Sequence, residues 1–218
     1  MTDEPLRLVL FDCDGTIVDS MVAILDACHR SFDDAGLPRL PDDLWRPLIG
    51  LPMPRQLELL LPGAPEDLRS TLEQGYRRHR FGTEHADEKL FPGMAELLGD
   101  LDDAGCLLGM ATSKSRQGLD IVLDRFALRR LFVTLQTGDR HPSKPHPAMV
   151  EAAMAAVGAQ ACATTLVGDT TFDIEMAVHA GVRPIGVTWG HHTAAELERA
   201  GAEAVVDSVA ALRDLLVR

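Results

Sequence analysis

The sequence is poor in lysine: only Lys89, Lys114 and Lys144 occur in 218 residues. The formal net charge is −12. A nucleic-acid backbone is gripped by clustered Lys and Arg, so nucleic acid is not an expected partner. No apolar run approaches the length of a membrane span, and no membrane contact is expected. The opening MTDEPLRLVL lacks the basic lead and long apolar core of a signal peptide. The four cysteines, Cys13, Cys28, Cys106 and Cys162, contain no CxxC pair. They read as free thiols in a reducing, cytoplasmic compartment. Internal repeats and low-complexity segments are also missing. The remainder is ordinary for a globular enzyme, 46% hydrophobic and 25% charged, and long enough for one large domain or two modest ones.

What the chain does have is LVLFDCDGTIVDS over residues 8–20. The apolar run Leu8–Phe11 breaks off into Asp12, Asp14 and Gly15, the pattern of a strand buried on both faces of a parallel sheet. Asp12 then stands at the strand's C-terminal end, where open α/β sheets bind ligands. Asp14, two residues on, points the same way if the backbone is still extended. Two carboxylates so close repel each other unless a cation lies between them. Mg2+ suits them, as a hard ion that takes few oxygens from protein. With the charge neutralised, one aspartate can attack a phosphoryl group while the other moves protons. The plainer alternative is an Asx turn, since Asp-Gly is a common turn pair. An EF-hand loop fits poorly, because its glycine belongs at the sixth position. Cys13, between the two aspartates, reads as a small apolar filler or as a redox-sensitive thiol.

Apolar side chains at helical spacing predict a helix from Met21 to about Phe32, ended by Gly36 and Pro38. From there to about Glu88 the chain is polar and helix-friendly, interrupted by Pro41, Pro47, Pro52, Pro54, Pro62 and Pro65. Candidate helices are Gln56–Leu61 and Glu66–Arg80, with no buried strand among them. After Phe91-Pro92-Gly93 strands and helices alternate. Strands are expected at 106–111, 131–135, 163–168, 184–188 and 204–206. Helices are expected at 94–104, 116–126, 148–157, 173–180, 193–200 and 208–217. This alternation implies an α/β fold with a doubly wound, Rossmann-like parallel sheet. The expected core is residues 1–17 and 87–218, interrupted by a small helical cap at 18–86, inserted after the first strand.

Later strand and loop ends carry groups that would complement the aspartates. Thr112 and Ser113 end the second apolar strand and precede a helix, whose N-terminus favours anions such as phosphate; either could also be an ordinary N-cap. Lys144 lies in a loop stiffened by Pro142, Pro145 and Pro147, from which it could reach over the sheet and offset phosphate charge. Asp169 ends another buried strand, and Asp173 lies one helical turn further, so both could face one ion. The structural alternative is that they cap the helix and answer its dipole.

In order, DxDGT, a strand-terminal Thr/Ser, a loop Lys and GDxxxD resemble the motifs of the haloacid dehalogenase-like (HAD) superfamily, over nearly the whole chain. The helical insert resembles a C1-type mobile cap. VGDTTFDIEMAVHAG with GVTWGHH is similar to phosphoglycolate phosphatase-like members. The resemblance implies Asp12 as nucleophile and Asp14 as acid/base, with Thr112, the Ser113 N–H and Lys144 on the phosphoryl oxygens. It implies Mg2+ held by Asp12, the Asp14 backbone carbonyl and Asp169, with Asp173 acting through water. Asp14 speaks against a dehalogenase, which needs no second acid. No lysine lies between Asp14 and Glu88 to form a phosphonatase imine. Gly168-Asp169, where mutases carry Glu-Asp, speaks against a mutase.

The expected activity is hydrolysis of a small phosphomonoester, a phosphorylated metabolite, by a monomer or homodimer. Pyrophosphatase and sugar or nucleotide phosphatase activity are alternatives on the same scaffold. A phosphate-binding regulatory domain without turnover is the alternative from another class. Arg46, Arg55, Arg77, Arg78 and Arg80 are the cap cations that could meet a substrate carboxylate, Arg55 foremost because it follows the Gly50–Pro54 loop. Otherwise they are solvated. The Leu48–Pro54 segment reads as a hinge, an interface or a packed loop.

Overall fold

The computed structural model describes residues 6–82 and 88–217. In chain order, β1 (Leu8–Phe11) and the short β2 (Val18–Asp19) lead into α1 (Met21–Asp34), α2 (Asp42–Trp45), α3 (Met53–Leu60) and α4 (Glu66–Phe81). Then come β3 (Lys89–Leu90), α5 (Met94–Asp103), β4 (Leu107–Thr112), α6 (Arg116–Arg125) and β5 (Phe132–Thr137). The chain closes with α7 (Ala148–Val157), β6 (Thr164–Gly168), α8 (Thr171–His179), β7 (Arg183–Val187), α9 (Ala194–Ala200), β8 (Ala204–Val206) and α10 (Val209–Leu216).

β1 is a central strand of a six-stranded parallel sheet of order β5-β4-β1-β6-β7-β8. Its residues divide between two faces, as the pleat requires. Leu8 and Leu10 join Met149, Leu166 and Met176 on one side; Val9 and Phe11 join Leu97, Leu108 and Val167 on the other. Helices cover both faces, so the strand reads as an unbroken apolar run rather than an alternation. The chain runs from β1 out to β4 and β5, then returns to place β6 on β1's other side. Strand order therefore reverses between β1 and β6, which opens a crevice at their C-terminal ends. Phe11 pairs with Val167, and the Asp12 N–H donates to the Val167 carbonyl at 3.0 Å. That ladder delivers Asp12 and Asp169 side by side.

Helices α1 to α4 bury a cluster of their own: Ile24, Leu25, Cys28 and Phe32 of α1 meet Trp45, Met53, Leu57 and Leu72. The Phe32 and Trp45 rings pack edge to face at 5.8 Å. α3 starts at Met53, three residues earlier than expected from the prolines. Pro52 is its N-cap and Pro54 lies in its first turn, where a missing N–H costs no helical bond. Those prolines open the helix rather than break it. An antiparallel ribbon, β2 with β3 (Val18 opposite Leu90), ties together the chain before α1 and the chain after α4. The expected 86/87 boundary lies outside the described residues. Among the described residues no helix is long and apolar enough to cross a membrane.

Leu10 is fully buried. Its replacement by Ala is expected to cost about 2–5 kcal/mol in urea denaturation. Val22→Ala, at a position 77% exposed, should stay within about 0.5 kcal/mol.

Candidate active site

Four carboxylates gather at the crevice between β1 and β6, and all but Asp14 are fully or nearly fully buried. One oxygen each of Asp12, Asp169 and Asp173 lie within 4.8 Å of one another. Lys144, 1% exposed, bridges two of them: Nζ lies 2.8 Å from Asp12 Oδ1 and 2.5 Å from Asp173 Oδ1. Burial pushes the Asp12 carboxyl up to about 7, against the pull of Lys144 and with the help of Asp173 and Asp169. The same two aspartates, Asp12 and Asp173, outweigh burial at Lys144 and raise its ammonium above the ordinary lysine value.

Asp173 caps α8 with one oxygen and meets a lysine with the other. Its Oδ2 accepts from the Thr170 N–H and hydroxyl, closing a capping box at the start of α8. Its Oδ1 faces Lys144. Asp169 is held by the Thr16 hydroxyl at 2.7 Å on Oδ1, and on Oδ2 by the His191 N–H at 2.9 Å and the His191 ring Nδ1 at 2.5 Å. Burial disfavours the imidazolium of His191, but the bond to Asp169 outweighs it and raises its pKa. The fit leaves no room for side chains: a Cβ on Gly15 would lie 2.3 Å from Asp169 Oδ2, and one on Gly190 would lie 2.2 Å from it.

Asp14 belongs to a second charge system. Lys114 Nζ lies 2.5 Å from its Oδ2 and Arg80 Nη2 3.1 Å from its Oδ1. Burial would raise this carboxyl, but the two cations prevail and hold it well below the usual carboxylate range. Arg80, 3% exposed, also pairs with Glu88 at 2.5 Å, and Arg125 meets the same Glu88 at 3.1 Å. The last turn of α4 thereby reaches into the crevice. The Asp14 side chain is accordingly no member of the three-carboxylate cluster; only its backbone carbonyl is left for the metal role expected of it.

Thr112, at the end of β4, is buried, and its Oγ1 accepts the Lys114 N–H at 3.3 Å. The helix that follows is capped by Ser115, whose hydroxyl accepts from Gly118, so neither Thr112 nor Ser113 is spent as an N-cap. The Ser113 hydroxyl donates to the Gly50 carbonyl at 2.5 Å, joining the β4 end to the 49–52 loop. A cavity of about 180 Å3 lies between them, lined by Asp12, Asp14, Thr112, Ser113 and Lys114 from the sheet side and by residues of α1, α3, α4 and that loop. The structure thus brings every expected site residue to one crevice. Lys144 approaches from behind, bonded to the aspartates and absent from the cavity wall.

Other expectations fare differently. Arg55 is exposed, pairs with Glu58 at 2.8 Å and does not line the cavity. Arg46 lies at 4.0 Å from Asp42, and Arg78 at 2.8 Å from Asp34. Cys13 is 1% exposed, and burial pushes its thiol far above the usual range, which suits the filler reading. Lys114 and Glu88 were given no role in the sequence, and Thr16 and His191 entered only as members of the DxDGT and GVTWGHH patterns. Lys114 carried a signal, being one of three lysines and next to Thr112-Ser113. Glu88 carried none, and Arg80, expected only as a solvated or substrate-facing cap cation, is instead buried on Asp14 and Glu88, a pairing with Asp14 that spans 66 residues.

Residues 9–187 match the haloacid dehalogenase-like hydrolase family model. The chain belongs to that family. A protein of Dickeya dadantii described as "Probable phosphatase IndB" is 37% identical over 206 residues, covering 92% of this chain and 89% of the relative. A phosphoglycolate phosphatase of Vibrio vulnificus is 28% identical over 225 residues, covering 100% and 99%. The crystal structure of a predicted phosphatase from Clostridium acetobutylicum superposes with a TM-score of 0.88 at 25% identity, covering 98% and 99%. The chain is thus a phosphoglycolate phosphatase-like member of the hydrolase family.

Replacing Lys114 with Met removes the closer of the two cations on Asp14. The Asp14 carboxyl should then protonate at a higher pH than in the wild type, as read by carbon NMR titration of the labelled carboxyl. An unmoved titration would show that Lys114 does not set its charge.

Proposed function

We propose that the chain is a Mg2+-dependent phosphatase that hydrolyses a small phosphomonoester through an aspartyl-phosphate on Asp12. The observation that carries this reading is the pairing of unlike environments two residues apart. Asp12 lies beside a buried lysine and two further carboxylates, and Asp14 lies on two cations facing the cavity.

Around Asp12 three carboxylates gather, two of them on Lys144 and the third on His191, and their hard oxygens within 4.8 Å of one another fit a divalent cation such as Mg2+. Asp12, Asp169 and the Asp14 carbonyl would hold it, with Asp173 acting through water. When bound, the ion would neutralise the nucleophile's surroundings and the phosphoryl oxygens. Asp12 Oδ attacks phosphorus in line, the bond to the leaving oxygen breaks, and Asp14 delivers a proton to that oxygen. Asp14 then takes a proton from the water that attacks the aspartyl-phosphate, which releases phosphate and restores Asp12. In the structure Asp14 is held as the anion, the form needed for the second step. An arriving phosphoryl group brings negative charge and competes for Lys114, and both effects favour the protonated form needed for the first. Thr112 and the Ser113 N–H would orient the phosphoryl oxygens from the cavity wall, and Lys144, 2.8 Å from Asp12 Oδ1, would meet them from behind the nucleophile.

Residues 18–86 form the cap in this reading. Closure over the crevice would exclude bulk water and select the leaving group, with Arg80 and the bond from Ser113 to Gly50 as its contacts in the closed state. A cytoplasmic setting suits four cysteines without a disulfide, and the active unit is a monomer or homodimer.

The test is phosphate release across a panel of phosphomonoesters with and without Mg2+. Chelation should abolish turnover and Mg2+ restore it. Asp12→Asn should leave no measurable turnover, and Asp14→Asn should lower kcat by roughly 100- to 10,000-fold. Turnover that survives Asp12→Asn would remove Asp12 from the role of nucleophile.

A further inference from the structure

The cavity wall supplied by α1 to α4 has a distinct chemistry. Ile24, Leu51, Met53 and Tyr76 make it largely apolar. Its charged pair is Glu73 and Arg77, one helical turn apart on α4 and joined at 2.7 Å. Across the cavity, Lys114 is bound to Asp14. Among the described residues, no cation that lines the cavity is without a carboxylate partner. Asp14, Glu73 and Asp139 all face the same space, so a leaving group with a carboxylate would meet like charge and find no unshared cation.

A polar handle is also present. Gln56 lines the cavity and is 4% exposed. Its Nε2 donates to the Leu51 carbonyl at 2.8 Å, which fixes the orientation of the amide. Its Oε1 is left buried with no partner among the described residues. A buried amide oxygen calls for a donor, and a hydroxyl or N–H of a bound molecule can supply one.

We propose that the leaving group is an uncharged alcohol, not a carboxylate-bearing one such as glycolate. It lays an apolar face on Ile24, Leu51, Met53 and Tyr76 and gives a hydrogen bond to Gln56 Oε1. Glu73 is the specificity-determining residue, because its carboxylate stands on the cavity wall, where it repels a substrate carboxylate and competes with it for Arg77, a side chain 57% exposed. The inference rests on the phosphatase reading above and narrows its substrate class, away from the compound that names the phosphoglycolate phosphatase relatives.

A matched series of ligands isolates the charge: 2-hydroxyethyl phosphate, ethyl phosphate and phosphoglycolate differ at one terminal group. Their affinities are measured by calorimetry with Mg2+ on Asp12→Asn protein, where turnover does not interfere. The hydroxyethyl ester should bind at least about tenfold more tightly than phosphoglycolate. Adding Glu73→Gln should bring the two within about threefold by freeing Arg77. Adding Gln56→Met instead should erase the advantage of the hydroxyethyl over the ethyl ester. Phosphoglycolate binding as tightly as the hydroxyethyl ester, or a gap indifferent to Glu73→Gln, would overturn the proposal. Wild-type phosphate release is scored separately. Binding with the stated preference but no release by the wild type would contradict the phosphatase reading and leave the selectivity standing.

Discussion

The buried ammonium of Lys144 is the interaction on which the centre of this molecule depends. It sits between Asp12 and Asp173 with almost no exposure to solvent. Among the described residues it is the one cation in contact with both of these buried carboxylates. A buried pair of this kind is weak evidence for stability, but removing one partner strands the rest and typically costs about 3–5 kcal/mol. The sheet supplies the setting: the reversal of strand order between β1 and β6 brings Asp12 and Asp169 out on adjacent strands at the open end of the crevice.

Two lysines divide the acidic centre between them. Lys144 supports the Asp12 side from within the fold, and Lys114 holds Asp14 at the cavity surface, where Arg80 joins it. The consequence is a split in character between aspartates two residues apart, one pushed up to about 7 by burial and the other held low by two cations. Groups whose environments drive their pKa values apart are suited to different parts of one reaction. Because Arg80 belongs to α4, the helices that wall the cavity are electrostatically joined to the acid/base candidate. Movement of those helices would change the charge around Asp14.

How much of this could be read in the residues depends on the length scale of each signal. β1 was legible because four apolar residues ending in Asp-Cys-Asp-Gly match a strand covered on both faces. The α/β class was legible because strands and helices alternate over the whole second part of the chain. Asp169 and Asp173 were legible as a pair; the structure bears out the capping of α8 by Asp173 Oδ2, while the contact of its Oδ1 with Lys144, 29 residues away, had no signal in the sequence. The two-residue strands β2 and β3 were not legible, since a period of two cannot show in two residues. Pro52 and Pro54 misled because a proline that opens a helix looks the same as one that breaks it. Arg80 looked like any arginine on a polar helix, because its partners Asp14 and Glu88 are brought to it by tertiary packing alone.

The central claim is that Asp12 carries the phosphoryl group between the two halves of the reaction. The most direct measurement is rapid acid quenching during turnover with Mg2+, followed by proteolysis and fragmentation mass spectrometry of the peptide that spans residues 8–20. The account predicts the added mass of one phosphoryl group on Asp12, absent when Asp12 is replaced by Asn. A phosphoryl group on Asp14 or elsewhere, or steady turnover with no covalent species at any quench time, would contradict it.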